Sequence, residues 1–209
     1  MTSILKADEI QDSSGNLIIK EVANAITIGA SGDTITIPAG ATIANSGTAS
    51  GFGGITEADM WRITTTFSGS VEPITANWER CDEDTFEKIG TGMSVSSGVW
   101  SFPVTGLYQV VWNVGWDLSS AVSRYVYSQL ITTNDNSTYT ERGTGWTHMF
   151  NGGGTTYASA TVGVFINVSN VSNQKVKFGV NSINSSVNTQ GSSTSNKTYV
   201  SFIRLGDSQ

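Results

Sequence analysis

Apolar and polar residues alternate in short runs along this chain, and clusters of Gly, Ser, Asn and Asp separate the runs. That two-residue period belongs to strands with one buried face. The densest run, VWSFPVTGLYQVVWNVGW at residues 99–116, predicts two strands. The first covers 99–104 and ends at the Thr105-Gly106 turn. Pro103 lies near that corner, where a missing backbone donor does little harm. The second covers 107–116. Leu107, Val110, Trp112, Val114 and Trp116 are expected to pack, with Tyr108 and Val111 on the other side. A strand that is apolar on both faces is usually central and covered twice. One face is expected to enter a sandwich core, and the other to meet a second sheet edge or a second subunit.

Around this pair the pattern continues. In WRITTTF, residues 61–67, Trp61, Ile63 and Thr65 oppose Arg62, Thr64 and Thr66. Residues 71–78, with Pro73 at an edge or strand start, and a short strand at 93–95 come before the central pair. Later strands are expected at 124–132, 144–150, 157–168, 175–180 and 199–205. A turn-rich tip at 133–139 and the run Gly152-Gly153-Gly154 separate some of them. Eight or more strands from Trp61 onward have the spacing of a sandwich. The charged run ERCDEDTFE, 79–87, reads as a loop or a single helical turn, with Phe86 and Ile89 pinning it to the core. Residues 181–197, almost wholly Ser, Asn, Thr and Gly, form either a disordered loop or a long loop ordered on a partner surface.

Before residue 50 the units are shorter. Ile4-Leu5 and Leu17-Ile18-Ile19 flank a strong turn at 12–16, giving a strand–turn–strand arm too small to hold a core alone. Then Ile26/Ile28, Ile35/Ile37 and Ile43 face one way, and Thr27, Thr34, Thr36 and Thr42 the other. Ile26 to Ile35 and Ile28 to Ile37 share a spacing, a weak internal repeat. At roughly 2 kcal/mol per buried Ile, one copy barely offsets its ordering entropy. Three copies around a common axis would share one Ile core. This predicts a trimeric β-stalk or short solenoid, or, more plainly, a hairpin lying on the main domain. Gly51, Gly53 and Gly54 mark a hinge over 50–60.

Composition narrows the function. Of 209 residues only 13% are charged, and Gly, Ser, Thr and Asn are abundant. The net charge is −6 with no Lys/Arg cluster, which argues against a nucleic-acid groove or an anionic membrane surface. No apolar run approaches the length of a bilayer span. The N-terminus has no long apolar core after a basic start and is not expected to be a signal peptide. A single cysteine, Cys81, rules out a disulfide framework within one chain, so folding in a reducing cytosol is expected. Asn136, Asn167, Asn170, Asn184 and Asn196 each begin an N-x-Ser/Thr triplet, which such a composition produces by chance.

Catalytic signals are sparse. His148 is the only histidine, and no HExxH, CxxC or GxSxG spacing accompanies it. It sits between Trp146 and Phe150, which suggests a structural or interface role. Glu79, Asp82, Glu83, Asp84 and Glu87 lack the D-x-D-x-D-G spacing of a calcium loop and read as a solvated face. Acidic neighbours raise the Cys81 thiol's pKa and make it less reactive. No cofactor or metal is expected. Six tryptophans, Trp61, Trp78, Trp100, Trp112, Trp116 and Trp146, are many for this length. Some must be core, and exposed ones either bury at a subunit contact, the favoured reading, or stack on sugar rings.

Two stretches carry resemblances. Ser101-Phe102-Pro103-Val104-Thr105-Gly106-Leu107-Tyr108 resembles the F-x-V-x-G-x-Y signature in the globular head of complement's first component. That family includes tumour-necrosis-factor-like trimeric jelly rolls, a module bacteriophage fibre heads also use. Tyr199-Val200-Ser201-Phe202-Ile203-Arg204-Leu205 resembles the family's last strand, which returns to the trimer centre. The resemblance covers residues 67–205. It implies that Phe102, Gly106, Tyr108, Trp112, Tyr199 and Phe202 serve the head core or trimer interface. The phrases SILKADEIQ and ITIGASGDTITIPAGATI resemble the amino-terminal part of tail-fibre and other virion proteins of tailed bacteriophages. That likeness covers the first quarter of the chain and implies a virion protein.

The expected architecture is all-β: an N-terminal β-arm and trimeric β-stalk (1–49), a Gly-rich hinge (50–60) and a C-terminal jelly-roll β-sandwich head (61–209). Ile4, Leu5, Leu17, Ile18, Ile19, Ile26, Ile28, Ile35, Ile37 and Ile43 are the candidates for attachment and trimerisation. The expected function is structural and non-enzymatic, as a homotrimer on the exterior of a virion assembled in the host bacterial cytoplasm. Its partners would be its own copies and other virion proteins, such as the major capsid protein or tail proteins. Little shaft for a fibre leans towards capsid decoration or cement, whereas the N-terminal phrase leans towards a short tail fibre whose head binds a host surface glycan. A soluble carbohydrate-binding module is the alternative outside the virion.

Overall fold

The computed structural model describes residues 9–23, 25–42, 54–82 and 84–209. The chain divides into two compact units, Met1–Phe52 and Gly53–Gln209. Among the described residues every regular element is a strand.

In the first unit β1 (Glu9–Gln11), β2 (Leu17–Val22) and β3 (Ala25–Ile28) form an antiparallel sheet in that order. Asp12 sets the first turn. Its carboxylate accepts hydrogen bonds from the Ser14 and Asn16 backbone N–H groups and from the Asn16 amide. Such local side-chain bonds make Asp a turn former. Ile10, Ile18, Ile19, Ile26 and Ile28 all stand exposed, Ile26 at 69%. The Ile repeat does not continue as a strand. Residues 33–38 carry no ladder, and Ile35 and Ile37 are exposed. A strand needs a neighbour for its backbone groups, and none of the described residues pairs with this stretch. Ile4, Leu5 and Ile43 lie outside the described residues, and Leu17 is placed by its backbone alone.

The second unit holds β4 (Ala58–Ile63), β5 (Phe67–Ser68), β6 (Trp78–Arg80), β7 (Ser94–Ser96), β8 (Val99–Ser101) and β9 (Gly106–Ser119). It continues with β10 (Ser123–Thr133), β11 (Tyr139–Met149), β12 (Thr155–Val168), β13 (Lys175–Ser182), β14 (Asn188–Thr189) and β15 (Tyr199–Gly206). Two sheets result. One has the order β11-β10-β13-β8-β7. The other has the order β5-β14-β9-β15-β4-β6, with β12 on the remaining edge of β9. The strand β9 is therefore central, with β12 along one side and β15 and β14 sharing the other. The expected β-sandwich is the observed fold.

The β9 register corrects one expectation. Tyr108, Val110, Trp112, Val114, Trp116 and Leu118 are all buried, while Leu107 and Val111 face away. The strand starts at Gly106 and runs unbroken, so strict alternation puts Tyr108 on the core face and Leu107 outside. Trp100, Trp112 and Trp116 are fully buried, joined by Phe102, Phe178 and Phe202. Trp61 and Trp78 pack edge-on to Trp100 at 5.1 and 4.9 Å between centroids. These offset, near-perpendicular contacts suit aromatic rings better than face-to-face sandwiches.

Three further expectations fail for identifiable reasons. Residues 71–77 form no strand. Val71 makes only an isolated bridge to Val180, and Ile74 is buried from a loop. Phe86 and Ile89 do not anchor the charged run, since both are exposed. That segment is instead held by backbone bonds between Ile89 and Ala58 and by the β4–β6 ladder. Residues 181–197 are neither disordered nor in need of a partner. Val187 and Thr189 are buried, and β14 pairs with both β5 and β9. The Asn188 and Gln190 amides both donate to the Asp117 carboxylate, at 2.8 and 3.1 Å.

Candidate functional site

The residues of the F-x-V-x-G-x-Y stretch form one corner with the last strand. Phe102 and Tyr108 are buried with ring centroids 4.8 Å apart. The Tyr108 hydroxyl donates to the Val104 carbonyl at 3.0 Å, closing the corner on itself. Burial pushes the Tyr108 phenol up to about 12, with the Glu57 carboxylate adding to the shift. Gly106 sits at φ +156°, and a Cβ there would come within 2.7 Å of the Gly206 carbonyl oxygen and would also strike the Arg204 side chain. Arg204 donates from Nε to the Thr105 carbonyl at 2.9 Å and pairs with Asp207 at 2.6 Å. Glycine is thus the residue that lets the last strand's arginine cross the corner.

Beside this corner lies a buried acidic pair. Asp59 accepts from the Met93 N–H at 2.7 Å and the Trp61 indole at 2.8 Å, and it pairs with Arg80. Glu57 accepts from the Thr91 and Gly92 N–H groups. Arg62, only 2% exposed, pairs with Glu79 at 2.7 Å. Every one of these carboxylates is occupied in holding a loop or strand, so the arrangement is structural. Among the described residues no three His, Cys, Asp or Glu side chains gather as a metal would require. Cys81 is buried, and burial is the main cause that raises its thiol pKa, which leaves it inert. His148 points outward from β11.

The two sheet surfaces carry the other features of note. The outer face of the seven-stranded sheet presents Leu107 and Val111 from β9, Phe165 from β12, and Tyr199, Ile203 and Leu205 from β15. Phe165 is 67% exposed and Leu205 is exposed, while Val111 and Ile203 are half-buried. Of the resemblance residues, Phe102, Tyr108, Trp112 and Phe202 lie in the core, Gly106 at the corner, and Tyr199 on this outer face.

The outer face of the other sheet carries a second feature. Tyr127 on β10 lies opposite Trp146 on β11, and their rings stack at 4.1 Å and 25°. Tyr125 meets Trp146 edge-on at 5.6 Å. Trp146 is 59% exposed although it packs against both tyrosines. The sequence reading singled out Trp146 but missed Tyr125 and Tyr127. Their spacing of two in a strand, which puts both rings on one face, was the available signal.

No protein-family model matches the chain, and no curated protein does. Solved structures do. Eiger TNF from S. frugiperda superposes with a TM-score of 0.53 at 13% identity, covering 73% of this chain and 94% of that one. Murine APRIL at pH 5.0 gives a TM-score of 0.52 at 11% identity, covering 71% and 98%. The second unit is therefore a jelly-roll β-sandwich of the kind these tumour-necrosis-factor-like structures have. At such identity the likeness is one of fold.

Proposed function

We propose that this chain is a non-enzymatic structural protein of a tailed-phage virion, a homotrimer exposed on the particle exterior. The observation that carries self-association is the unsatisfied apolar surface on the head sheet, at Val111, Phe165, Ile203 and Leu205. Exposed isoleucines on the N-terminal sheet add to it. The register brings the head residues together around Gln109 and Ser201, and exposed apolar residues gathered on one sheet face support the reading of an interface. The virion assignment rests on the N-terminal phrase. Decoration of a capsid is the first reading. A short tail fibre with a receptor-binding head is the second, favoured by the exposed Trp146 cluster.

The test is immunolabelling of intact particles in the electron microscope, with sedimentation of the purified chain alongside. Label over the whole capsid together with a trimer mass is the expected result. Label confined to the tail selects the fibre. A trimer with no label on any particle overturns the virion assignment in favour of a soluble carbohydrate-binding module, and a monomer overturns the trimer.

A further inference from the structure

The stacked rings on β10 and β11 belong to an ordered row rather than a bare apolar patch. Across three strands the register aligns Asn181, Tyr127 and Trp146 on the outer face. Asn181 is half-buried, and among the described residues its side-chain amide has no hydrogen-bond partner. The next row aligns Gly179, Gln129 and Thr144. Two residues advance a strand by about 6.8 Å, comparable with the span of one sugar ring. In this second row Gln129 donates to Glu141 at 2.6 Å, and the Thr144 hydroxyl donates to the other Glu141 oxygen at 2.8 Å. Glu72 lies over Gly179, where a Cβ would meet its Cγ at 3.0 Å. The platform therefore pairs an aromatic surface with amide, hydroxyl and carboxylate groups one step away.

We propose that this face, centred on Trp146, Tyr127 and Asn181, binds a neutral saccharide. A pyranose has an apolar C–H face that stacks on an aromatic ring and a rim of hydroxyls that both donate and accept. Trp146 and Tyr125 supply the surface, Asn181 a donor and an acceptor, and Glu72 and Glu141 acceptors for sugar hydroxyls. The charge pattern selects within the class. Glu141 and Glu72 both lie on this face, and the cation in the Glu141 row, Lys177, is engaged over the Tyr139 ring at 3.3 Å. Two carboxylates against one engaged ammonium disfavour a uronate or sialate carboxylate, so neutral hexoses and N-acetylhexosamines are the ligands. The site lies on the five-stranded sheet, away from the outer face of the seven-stranded sheet proposed for trimerisation. It gives the receptor-binding reading a location, and it belongs to the head alone, with no need of the virion.

The 209-residue chain is applied to an array of neutral hexose and N-acetylhexosamine oligosaccharides printed beside their sialylated and uronate-bearing counterparts. Binding to neutral members is expected. A tenfold or greater loss in Trp146→Ala, partial retention in Trp146→Phe and a several-fold loss in Asn181→Ala are expected with it. Trp146 is largely exposed, so its variants are expected to fold, with Trp146→Ala melting slightly lower for the loss of its ring contacts to Tyr125 and Tyr127. Sedimentation of each variant separates this idea from the trimer reading. A Trp146→Ala chain that loses its oligomeric mass identifies the face as a subunit contact and overturns the proposal. So does equal binding by wild type and Trp146→Ala, a preference for acidic glycans, or no binding to any of the printed sugars.

Discussion

Gly106 and Tyr108 show how single residues fix this fold. A glycine at φ +156° beside the Gly206 carbonyl has room for no side chain. Gly106→Ala is therefore expected to cost about 2 kcal/mol or more, read as a lower urea midpoint with an unchanged slope. Tyr108 adds a pH dependence. Its phenol is raised from 10.0 to about 12 in the folded chain, chiefly by burial. The neutral form is thus preferred when folded. Its stabilising contribution is whole below pH 10 and is lost as pH rises towards 12. Alkaline unfolding followed by tryptophan fluorescence should steepen in that window, and Tyr108→Phe should flatten it. The variant also gives up the bond to Val104, so its stability at neutral pH is expected to fall by about 1 kcal/mol. A Tyr108→Phe chain with the same alkaline slope as wild type would count against this account.

At the scale of elements, strands with sustained alternation were the most legible, the short β7 was placed within a residue, and β11 was read only from 144 onward. Residues 157–168 and 199–205 were read nearly to the residue because alternation over many positions has one interpretation. Tyr108 was misplaced because Leu107 looked like a core residue by type, whereas parity along β9 decides the face. The Ser- and Asn-rich segment before β15 was unreadable for a different reason. Its order comes from long-range bonds to Ser68 and Asp117, which leave no local pattern. Asp117 is the hub, holding Asn188 and Gln190 while β14 pairs with β9. Asp117→Ala should release this strap at a cost of about 1–3 kcal/mol, since two side-chain amides lose a charged acceptor. Hydrogen exchange should rise at residues 187–190 and leave β12 protected. Uniform exchange across the head would show that the strap is held by its backbone pairing instead. The aromatic row on β10 and β11 was half-legible, because Trp146 is visible in a sequence but its stacking on Tyr127 depends on register.

For the molecule as a whole, the proposed trimer has two apolar surfaces to draw on. The N-terminal sheet exposes Ile26 and Ile28, which none of the described residues of its unit covers. The head sheet exposes Phe165 and Leu205 around the half-buried Val111 and Ile203. If three copies share both surfaces, the two contributions are separable, since the units are distinct along the chain. Val111→Asp places a charge where a neighbour's apolar side chains would pack, and a buried unpaired carboxylate costs several kcal/mol. It should give monomers by sedimentation at micromolar concentration, while the melting of the isolated head remains cooperative because Val111 lies outside the sandwich core. Ile26→Ser with Ile28→Ser should weaken the trimer by the two lost burials, about 4 kcal/mol per copy if both are fully buried there, without placing a charge in the contact. An outcome with Val111→Asp still trimeric and the isoleucine pair monomeric would assign association to the N-terminal sheet. In that case the head would be carried by the stalk, its outer face free for another partner.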